Sequence, residues 1–440
     1  MSKTFREWTL DQALLLPPSV HDFVPAGHLS RFVVALVTEE LDLSTIMASY
    51  KGEKGQPPYH PAMMVALLLY GYAVGLYSSR RIAKACMERV DFMAIVALQA
   101  PDFRTISEFR RRHLAALSAL FVQVLKLCER AGLVKLGHVA LDGTKIKANA
   151  SKHKAMSYER MCKREAELQA EVDGWLQAAE AADAAEDKAF GADRRGDEMP
   201  DWVADKQARL AKIRQAKAEL EAEAKAKAAA EQPARAKVDE KPPRKPPPAA
   251  APEPKAQRNF TDPESRILKT KDGYIQGYNA QAAVDAHAQI IVAHTLGNNG
   301  SDQNQFAPLL DAIKTNLGSN PHEVSADAGY CSTANLRTLS RRRIKGYIAT
   351  GRQKHASKSA TAKRPAKPGS LLARMTSRLR RAGHRSRYRL RKQVVEPVFG
   401  QVKEARGFRQ FLLRGIEKVK AEWAMICTVH NLRKLALAAA

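Results

Sequence analysis

Three carboxylates in this sequence lie in surroundings that favour chemistry on a phosphodiester. Asp142 and Asp327 each follow a short apolar segment, in "GHVALDGTK" and "EVSADAGY", and Glu396 lies in "YRLRKQVVEPVFGQVK". The stretch from Arg337 to Arg409 contains twenty-three Lys and Arg but only two acids, Glu396 and Glu404. A carboxylate in such a stretch is either an ion-pair partner or a ligand that holds a cation against a phosphate.

A metal site would explain how three acids from separate elements could converge. Their loss of hydration and mutual repulsion must be compensated, and divalent cations are the usual compensation. Oxygen ligands alone suit Mg²⁺ or Mn²⁺ better than zinc. Two such ions roughly 4 Å apart would activate a water or a 3′-hydroxyl and stabilise the leaving oxygen of a phosphodiester. The sequence therefore predicts a two-ion Mg²⁺ or Mn²⁺ site.

A structural role stays open for each acid, because an Asp at a strand end is often a turn or cap residue. Asp302, in "NNGSDQNQF", is predicted to cap the helix that follows it, and Asp285 to belong to a hairpin turn. Pro397 directly after Glu396 disfavours a helical conformation at 396. Either a helix starts there with proline in its first turn, or a helix kinks there.

Basic residues beside these acids could hold a DNA strand. Lys145 and Lys147 follow Asp142 in the sequence. Lys392 and Lys403 lie one and two turns from Glu396, on roughly the same helical face. These four lysines are predicted to contact phosphates.

Residues 1–135 are predicted to form an all-α domain. Thr105 and Glu108 form a capping box that would open a long helix in "TISEFRRRHLAALSALFVQVLKLCERAG". As a cluster, the arginines of its first turns are predicted to bind DNA, although each alone could belong to a solvated face. They are Arg110, Arg111 and Arg112.

The remainder is predicted to form an α/β core interrupted by an insertion, so that the whole chain is α+β. Residues 136–154 would supply the first strand and residues 258–440 the other strands and helices. Residues 155–257 are rich in Ala, Glu and Lys, which predicts long exposed helices or a helical hairpin. The eight prolines of residues 233–257 are typical of a disordered or polyproline linker. Insertions of this length are tolerated because loop closure cost rises slowly with length.

Composition narrows the class of protein. A length of 440 residues predicts two or three folded units, and a net charge of +26 favours a polyanionic partner. The longest apolar run, 62–77, is about 16 residues, short of the roughly 20 that span a membrane. No secretory signal is visible, and five scattered cysteines without a CxxC motif predict a reducing compartment and no structural zinc. We therefore expect a cytoplasmic protein that binds nucleic acid and not a membrane.

Four motifs resemble the DDE transposases of bacterial insertion sequences: "ALDGTKIKANAS", "GYNAQAAVD", "SADAGYCS" and "YRLRKQVVEPVFGQVKEARGFRQFLLRG". The likeness is greatest to the family numbered eleven eighty-two, within the broader group of families four and five. It covers roughly residues 30–150 and 258–435. It implies an N-terminal helical domain followed by a catalytic core of RNase H-like fold, with Asp142, Asp327 and Glu396 as the metal-binding triad.

The resemblance also implies a tyrosine–arginine–glutamate–lysine signature made by Tyr388, Arg391, Glu396 and Lys403. Six residues separate the glutamate from the lysine, as in the family. Four residues separate Arg391 from Glu396 where the family has three, and Lys392 would restore that spacing. Either Arg391 or Lys392 could therefore take the role of the signature's arginine.

The function implied by the resemblance is Mg²⁺-dependent DNA cleavage and strand transfer of an insertion sequence. The partners would be double-stranded DNA, both as terminal inverted repeats and as target, and a second copy of the chain for synapsis. In a bacterial cell the protein would then be associated with the nucleoid. Two alternatives remain: a decayed or domesticated DNA-binding protein without catalysis, and a nuclease of the same fold without strand transfer.

Overall fold

The protein combines a helical N-terminal region with a core built on a mixed β-sheet, so its fold is α+β. The structure is a computed structural model that describes residues 19–50, 57–190, 201–236, 251–270, 273–351, 367–382 and 387–439. Within those residues, no helix is both long enough and apolar enough to cross a membrane.

The helices are α1 (Leu29–Ala35), α2 (Ser44–Met47), α3 (Pro61–Ala73), α4 (Ser79–Glu88), α5 (Val90–Ile95), α6 (Phe103–Arg112), α7 (Leu114–Arg130), α8 (Tyr158–Phe190), α9 (Asp201–Ala236), α10 (Phe306–Leu317), α11 (Thr333–Arg341), α12 (Leu371–Ala382), α13 (Leu390–Gly400) and α14 (Ile416–Ala439). The strands are β1 (His138–Lys147), β2 (Ala155–Ser157), β3 (Gln257–Asn259), β4 (Arg266–Thr270), β5 (Gly273–Asp285), β6 (Ile291–Gly297), β7 (Glu323–Ala326) and β8 (Lys345–Ile348). Short 3-10 turns include Gln303–Gln305, Ala328–Tyr330 and Arg387–Arg389.

The N-terminal region differs from the prediction at one helix start. Helix α6 begins at Phe103 instead of Thr105, because the carboxylate of Asp102 accepts hydrogen bonds from the Arg104 and Thr105 backbone N–H groups. An aspartate is a strong N-cap, so it starts the helix before the predicted capping box. The helix also breaks at His113, and α7 continues from Leu114.

The main sheet has the strand order β4-β5-β1-β7-β8, and β6 also pairs with β5. Strands β1, β7 and β8 are mutually parallel, whereas β5 is antiparallel to β1, β4 and β6. The strand before Asp142 was expected to end at Asp142, but β1 continues to Lys147. It does so because β5 pairs with it as far as Lys147 opposite Gly277. Asp142 therefore lies inside a strand, and the structure corrects its predicted position.

A single hydrophobic cluster joins the helical region to the sheet. Helix α14 packs against α3, α7 and β6. Its buried Asn431 accepts a hydrogen bond from Ile291 N and donates one to Ile291 O, each at 2.8 Å. The sheet that carries the acids is thus anchored to the N-terminal helices by the last helix of the chain.

The inserted segment forms a helical hairpin, since α8 and α9 pack against each other. They enclose a small apolar core of their own that includes Met161, Leu168, Leu210 and Ile213. At its base, β2 pairs antiparallel with β3, with Ala155 opposite Asn259. Helix α9 extends to Ala236, and residues 237–250 of the predicted proline-rich linker lie outside the described residues.

Candidate active site

Asp142 and Asp327 lie side by side on neighbouring strands. Leu141 and Ala326 form the last residue pair of the parallel strands β1 and β7, and each acid comes directly after its member of the pair. Adjacent strands are about 4.8 Å apart. Two carboxylates 185 positions apart in sequence are therefore brought together by the sheet register alone.

Backbone N–H groups fix the direction of both carboxylates. Asp142 Oδ1 accepts a hydrogen bond from Gly143 N at 2.9 Å. Asp327 is the N-cap of the turn Ala328–Tyr330, and its Oδ1 accepts from Gly329 N at 2.8 Å. A Cβ on Gly329 would lie 2.9 Å from Asp327 Oδ1 and 2.9 Å from Asp302 Oδ2, so only glycine fits there without displacing them.

The two carboxyls are short of compensating positive charge. Burial raises the pKa of Asp142 to about 7, the Arg391 guanidinium opposes that rise, and Asp327 adds to it. Burial, together with the nearby carboxylate of Asp302, also raises the pKa of Asp327. A raised carboxyl pKa means that the charged form is destabilised, and a bound cation would reverse it.

Arg391 is the cation that joins the acids in this structure. Its guanidinium donates to Asp142 Oδ2 at 2.6 Å and to Glu396 Oε1 at 3.2 Å, and its side chain is only 12% exposed. Within the described part of the chain, the exposed Lys392 contacts neither carboxylate. Of these two cations it is thus Arg391 whose guanidinium reaches the acids, in spite of the extra residue before Glu396.

Helix α13 carries Glu396 through a proline. The helix begins at Leu390 and includes Pro397, so it does not start at 397 as one of the two alternatives supposed. Proline has no N–H for the carbonyl four residues earlier, which is Gln393 O. That carbonyl accepts a hydrogen bond from Gln289 Nε2 at 3.0 Å instead. The side chain of Glu396 remains 47% exposed at the edge of the site.

The chemistry of the acids fits a hard divalent cation, although their present placement does not form a complete site. Among the residues that the structure describes, no three His, Cys, Asp or Glu side chains form a group that could hold a metal ion. Asp142, Asp327 and Glu396 nevertheless offer only oxygen donors, which suit Mg²⁺ or Mn²⁺. The Arg391 guanidinium occupies the space between Asp142 and Glu396 and supplies the positive charge in this arrangement.

Two family models match this chain. One, described as Transposase domain (DUF772), matches residues 18–112, and the other, described as Transposase DDE domain, matches residues 248–432. Together they cover more than half of the chain. The chain is a DDE transposase. Searches of curated proteins and of solved structures found no match.

The transposase is accordingly an enzyme of DNA transposition, and the DDE match contains Asp327, Arg391 and Glu396. Asp142 lies between the two matched segments. The strand register places it beside Asp327 even so. The site therefore draws on a part of the chain that neither match includes.

The remaining residues of the predicted site lie at different depths in the transposase. Lys403 Nζ donates to Lys145 O at 3.0 Å, and burial, followed by the charge of Arg409, lowers the pKa of Lys403. Lys145 Nζ donates to Lys269 O at 2.6 Å. Lys147 is exposed, and Tyr388 is buried in the turn before α13.

The three consecutive arginines of α6 do not share one surface, and Arg110, which was predicted with the other two to bind DNA, is buried. Arg111 is exposed and pairs with Glu108 at 2.7 Å, and Arg112 donates to Ser49 O at 2.7 Å. Arg110 is 6% exposed. Its guanidinium donates to Tyr72 Oη at 3.0 Å, Tyr77 O at 3.0 Å and Ser79 Oγ at 3.1 Å.

Sequence reasoning missed a polar network behind Asp327. Asp302 was expected to cap a helix, but its side chain makes no cap hydrogen bond. Its Oδ1 instead accepts from Asn279 Nδ2 at 2.7 Å and Gln281 Nε2 at 2.8 Å, and Gln281 Oε1 accepts from the Tyr330 hydroxyl. The signal was present in "YNAQAAV", where two amides spaced by two fall on one face of a buried strand.

Proposed function

We propose that this transposase cleaves DNA at the ends of its element and joins the 3′ ends to target DNA, with Mg²⁺ or Mn²⁺ as cofactor. The adjacency of Asp142 and Asp327, linked through Arg391 to Glu396, is the observation that carries the proposal. Asp142, Asp327 and Glu396 would hold two ions. When bound, the ions would activate the attacking oxygen and stabilise the leaving oxygen of the phosphodiester.

The chain's own residues would position the DNA around these acids. Arg391 is placed to contact the scissile phosphate once a metal neutralises the carboxylates that it now pairs with. Lys392 and Lys147 are exposed and free to follow the backbone, while Lys403 is held by Lys145 O. Tyr388 lies in the turn before α13, where it would support Arg391.

The wider assignments rest on the same resemblance. The strand order supports an RNase H-like core, and the proposed divisions are residues 1–135, 136–154, 155–257 and 258–440. In the first of these, the exposed Arg111 and Arg112 are the candidates for reading the element's ends. Synapsis of two inverted repeats would require a homodimer. The proposal includes membership of family eleven eighty-two, which the motifs support, and a place on the cytoplasmic nucleoid, which DNA binding would require.

The decisive experiment is cleavage of DNA that carries the element's own ends, with Mg²⁺, Mn²⁺ or EDTA. We expect cleavage by the wild type with either metal and none in EDTA. Asp142→Asn should abolish it, whereas Asp311→Asn, at an exposed aspartate paired with Arg342, should not. Wild-type activity in Asp142→Asn would refute the site.

Strand transfer needs its own measurement, since a nuclease of this fold would also cleave. Labelled 3′ ends should appear joined to an added target duplex in the metal reactions. Cleavage without joined product would identify a nuclease. Binding to the ends without cleavage by the wild type would identify a protein that has lost catalysis.

A further inference from the structure

A groove lined by arginines lies at the edge of the sheet beyond β8. It has a volume of about 750 Å³ and is formed by one side of α12 together with Tyr347. Its lining residues are Tyr347, Ala373, Arg374, Ser377, Arg378 and Arg381. We call this surface the arginine groove.

The sequence of α12 explains why its arginines face outward. Met375 and Leu379 are spaced by four, and both are buried where the helix packs on β8 and α11. Arg374, Arg378 and Arg381 follow the spacing of another helical face, and all three are exposed. No acid occurs in the helix, "LLARMTSRLRRA".

The arginines of the groove are not neutralised within the described residues, where none of the three has an ion-pair partner. Arg378 Nη1 donates to Gly346 O at 3.0 Å, which holds that side chain across the strand. A backbone carbonyl leaves the guanidinium's charge in place. The groove is therefore strongly positive, and we expect it to bind an anionic partner.

Helix α12, which lines the groove, reaches the carboxyl end of β8, and Asp327 follows the carboxyl end of the neighbouring strand β7. Ala326 of β7 and Ile348 of β8 form the last residue pair of these parallel strands. Asp327 and Ala349 come next on each, so the following Thr350 lies roughly one strand spacing, about 5 Å, to the side of β7, and two spacings from β1, which carries Asp142. The Thr350 hydroxyl is 3.2 Å from that of Thr376 in the middle of α12.

The span of the groove matches a nucleic-acid backbone. Arg381 lies seven positions after Arg374, a rise of about 10 Å along the helix. A DNA strand carries one phosphate per about 3.4 Å of axis, so the three arginines can neutralise about three phosphates. We propose that the arginine groove binds the backbone of duplex DNA beside the catalytic site. This rests on the proposed function and adds a DNA contact outside the signature residues.

The test is the salt dependence of duplex binding, measured in EDTA so that no cleavage occurs. We compare wild type with the triple variant Arg374→Gln, Arg378→Gln, Arg381→Gln on an element-end duplex and on an unrelated duplex. The log–log slope should become less steep by about 2.7, since each phosphate contact contributes about 0.9. An equal change on both duplexes is expected for a contact to the backbone, and a change confined to the element-end duplex would assign the groove to the element.

A matched control separates local contacts from overall charge. Lys84→Gln, Lys126→Gln and Lys420→Gln together remove the same three charges at lysines that pair with acids. The proposal is overturned if this control changes the slope as much as the triple variant, or if the triple variant keeps the wild-type slope on both duplexes. A triple Arg→Lys variant should retain the slope, which excludes misfolding as the cause.

Failure of the groove and failure of the proposed function give different results. If the wild type cleaves element ends and the triple variant binds both duplexes with an unchanged slope, the groove proposal alone is wrong. If the wild type binds with a steep slope that the triple variant loses, but never cleaves with metal, the groove stands and the catalytic proposal is wrong.

Discussion

Arg391 and Asp142 are 249 positions apart in the sequence, and their side chains form an ion pair of 2.6 Å. The same guanidinium reaches Glu396 at 3.2 Å. A single residue of α13 thus supplies positive charge to two of the three proposed metal ligands. Since a divalent cation would serve the same purpose, the ion pair and the metal are expected to compete for these oxygens.

Replacing Arg391 should therefore destabilise the metal-free protein. In Arg391→Gln the largely buried Asp142 loses its partner, and the free energy of unfolding should fall by about 3 kcal/mol. Added Mn²⁺ should restore part of that loss and bind more tightly than to the wild type. Urea unfolding and calorimetric titration measure both effects. Lys392→Gln is the control, and equal behaviour of the two variants would contradict the competition.

Glu396→Gln should remove metal-dependent cleavage while DNA binding survives. Its side chain is half-exposed, so the substitution should leave the free energy of unfolding nearly unchanged. We expect the cleavage rate to fall at least about 100-fold, because a metal ligand is lost. Glu404→Gln, at the other acid of the basic stretch, should cleave normally. Full activity in Glu396→Gln would remove this residue from the triad.

Gly329→Ala should displace Asp327 without changing any charge. The added Cβ would lie 2.9 Å from a carboxylate oxygen of Asp302 and 2.9 Å from one of Asp327, which is closer than a Cβ approaches a non-bonded atom. We expect a loss of about 1–3 kcal/mol in the free energy of unfolding, as for other overpacked sites, and slower cleavage. Gly137→Ala is the control because nothing lies within 4 Å of its Cβ. Wild-type cleavage in Gly329→Ala would show that Asp327 tolerates the shift.

Glu422 should make stability depend on pH. It is fully buried in α14, and burial raises its pKa from 4.5 to about 7, although backbone N–H groups of Leu412 and Leu413 oppose the rise. Below pH 4.5 the carboxyl is protonated in both states. As pH rises through about 7, the unfolded chain ionises first, so the free energy of unfolding falls by about 3 kcal/mol.

Glu422→Gln should remove that component, because its amide does not titrate. Urea midpoints of the wild type and the variant, measured from pH 4.5 to 8, should diverge as pH rises, with the variant the more stable. Parallel curves would show that Glu422 does not titrate in this range.

Arg110 should act on stability and Arg111 on DNA binding. Arg110→Ala leaves two buried hydroxyls and a carbonyl without their donor, and we expect it to cost about 3 kcal/mol. Arg111→Ala removes an exposed side chain and should change stability by less than about 0.5 kcal/mol while weakening end binding. Thermal melts and binding titrations separate the two. Unchanged end binding in Arg111→Ala would place the DNA-reading surface elsewhere.

The residues alone could predict that a buried strand precedes Asp142 and another precedes Asp327, but not that β1 continues past Asp142 or what surrounds the acids. Short apolar segments before Asp142 and Asp327 mark buried strands, and local pattern suffices for that. The Arg391 contact depends on how α13 packs across the sheet, which no local pattern contains. The same holds for Asp302, because its partners come from β5 and not from the helix that it precedes.

Helix geometry explains the error at Arg110. Successive residues on a helix are rotated by about 100°, so three consecutive arginines span about 200° of its surface. On a helix whose buried face is wider than the remaining roughly 160°, at least one of them points toward the core. A cluster of adjacent charges in sequence is thus a poor guide to a charged surface, whereas the spacing of four and three in α12 is a good one.

The pairing of β2 with β3 has a consequence for how this chain could change during evolution. The inserted hairpin leaves and re-enters the core at adjacent residues, Ala155 and Asn259. Two antiparallel strands with neighbouring ends can be closed by a tight turn, or by about a hundred residues at a closure cost that rises only slowly with length. The segment can therefore be lengthened, shortened or exchanged for another domain while the carboxylates keep their positions.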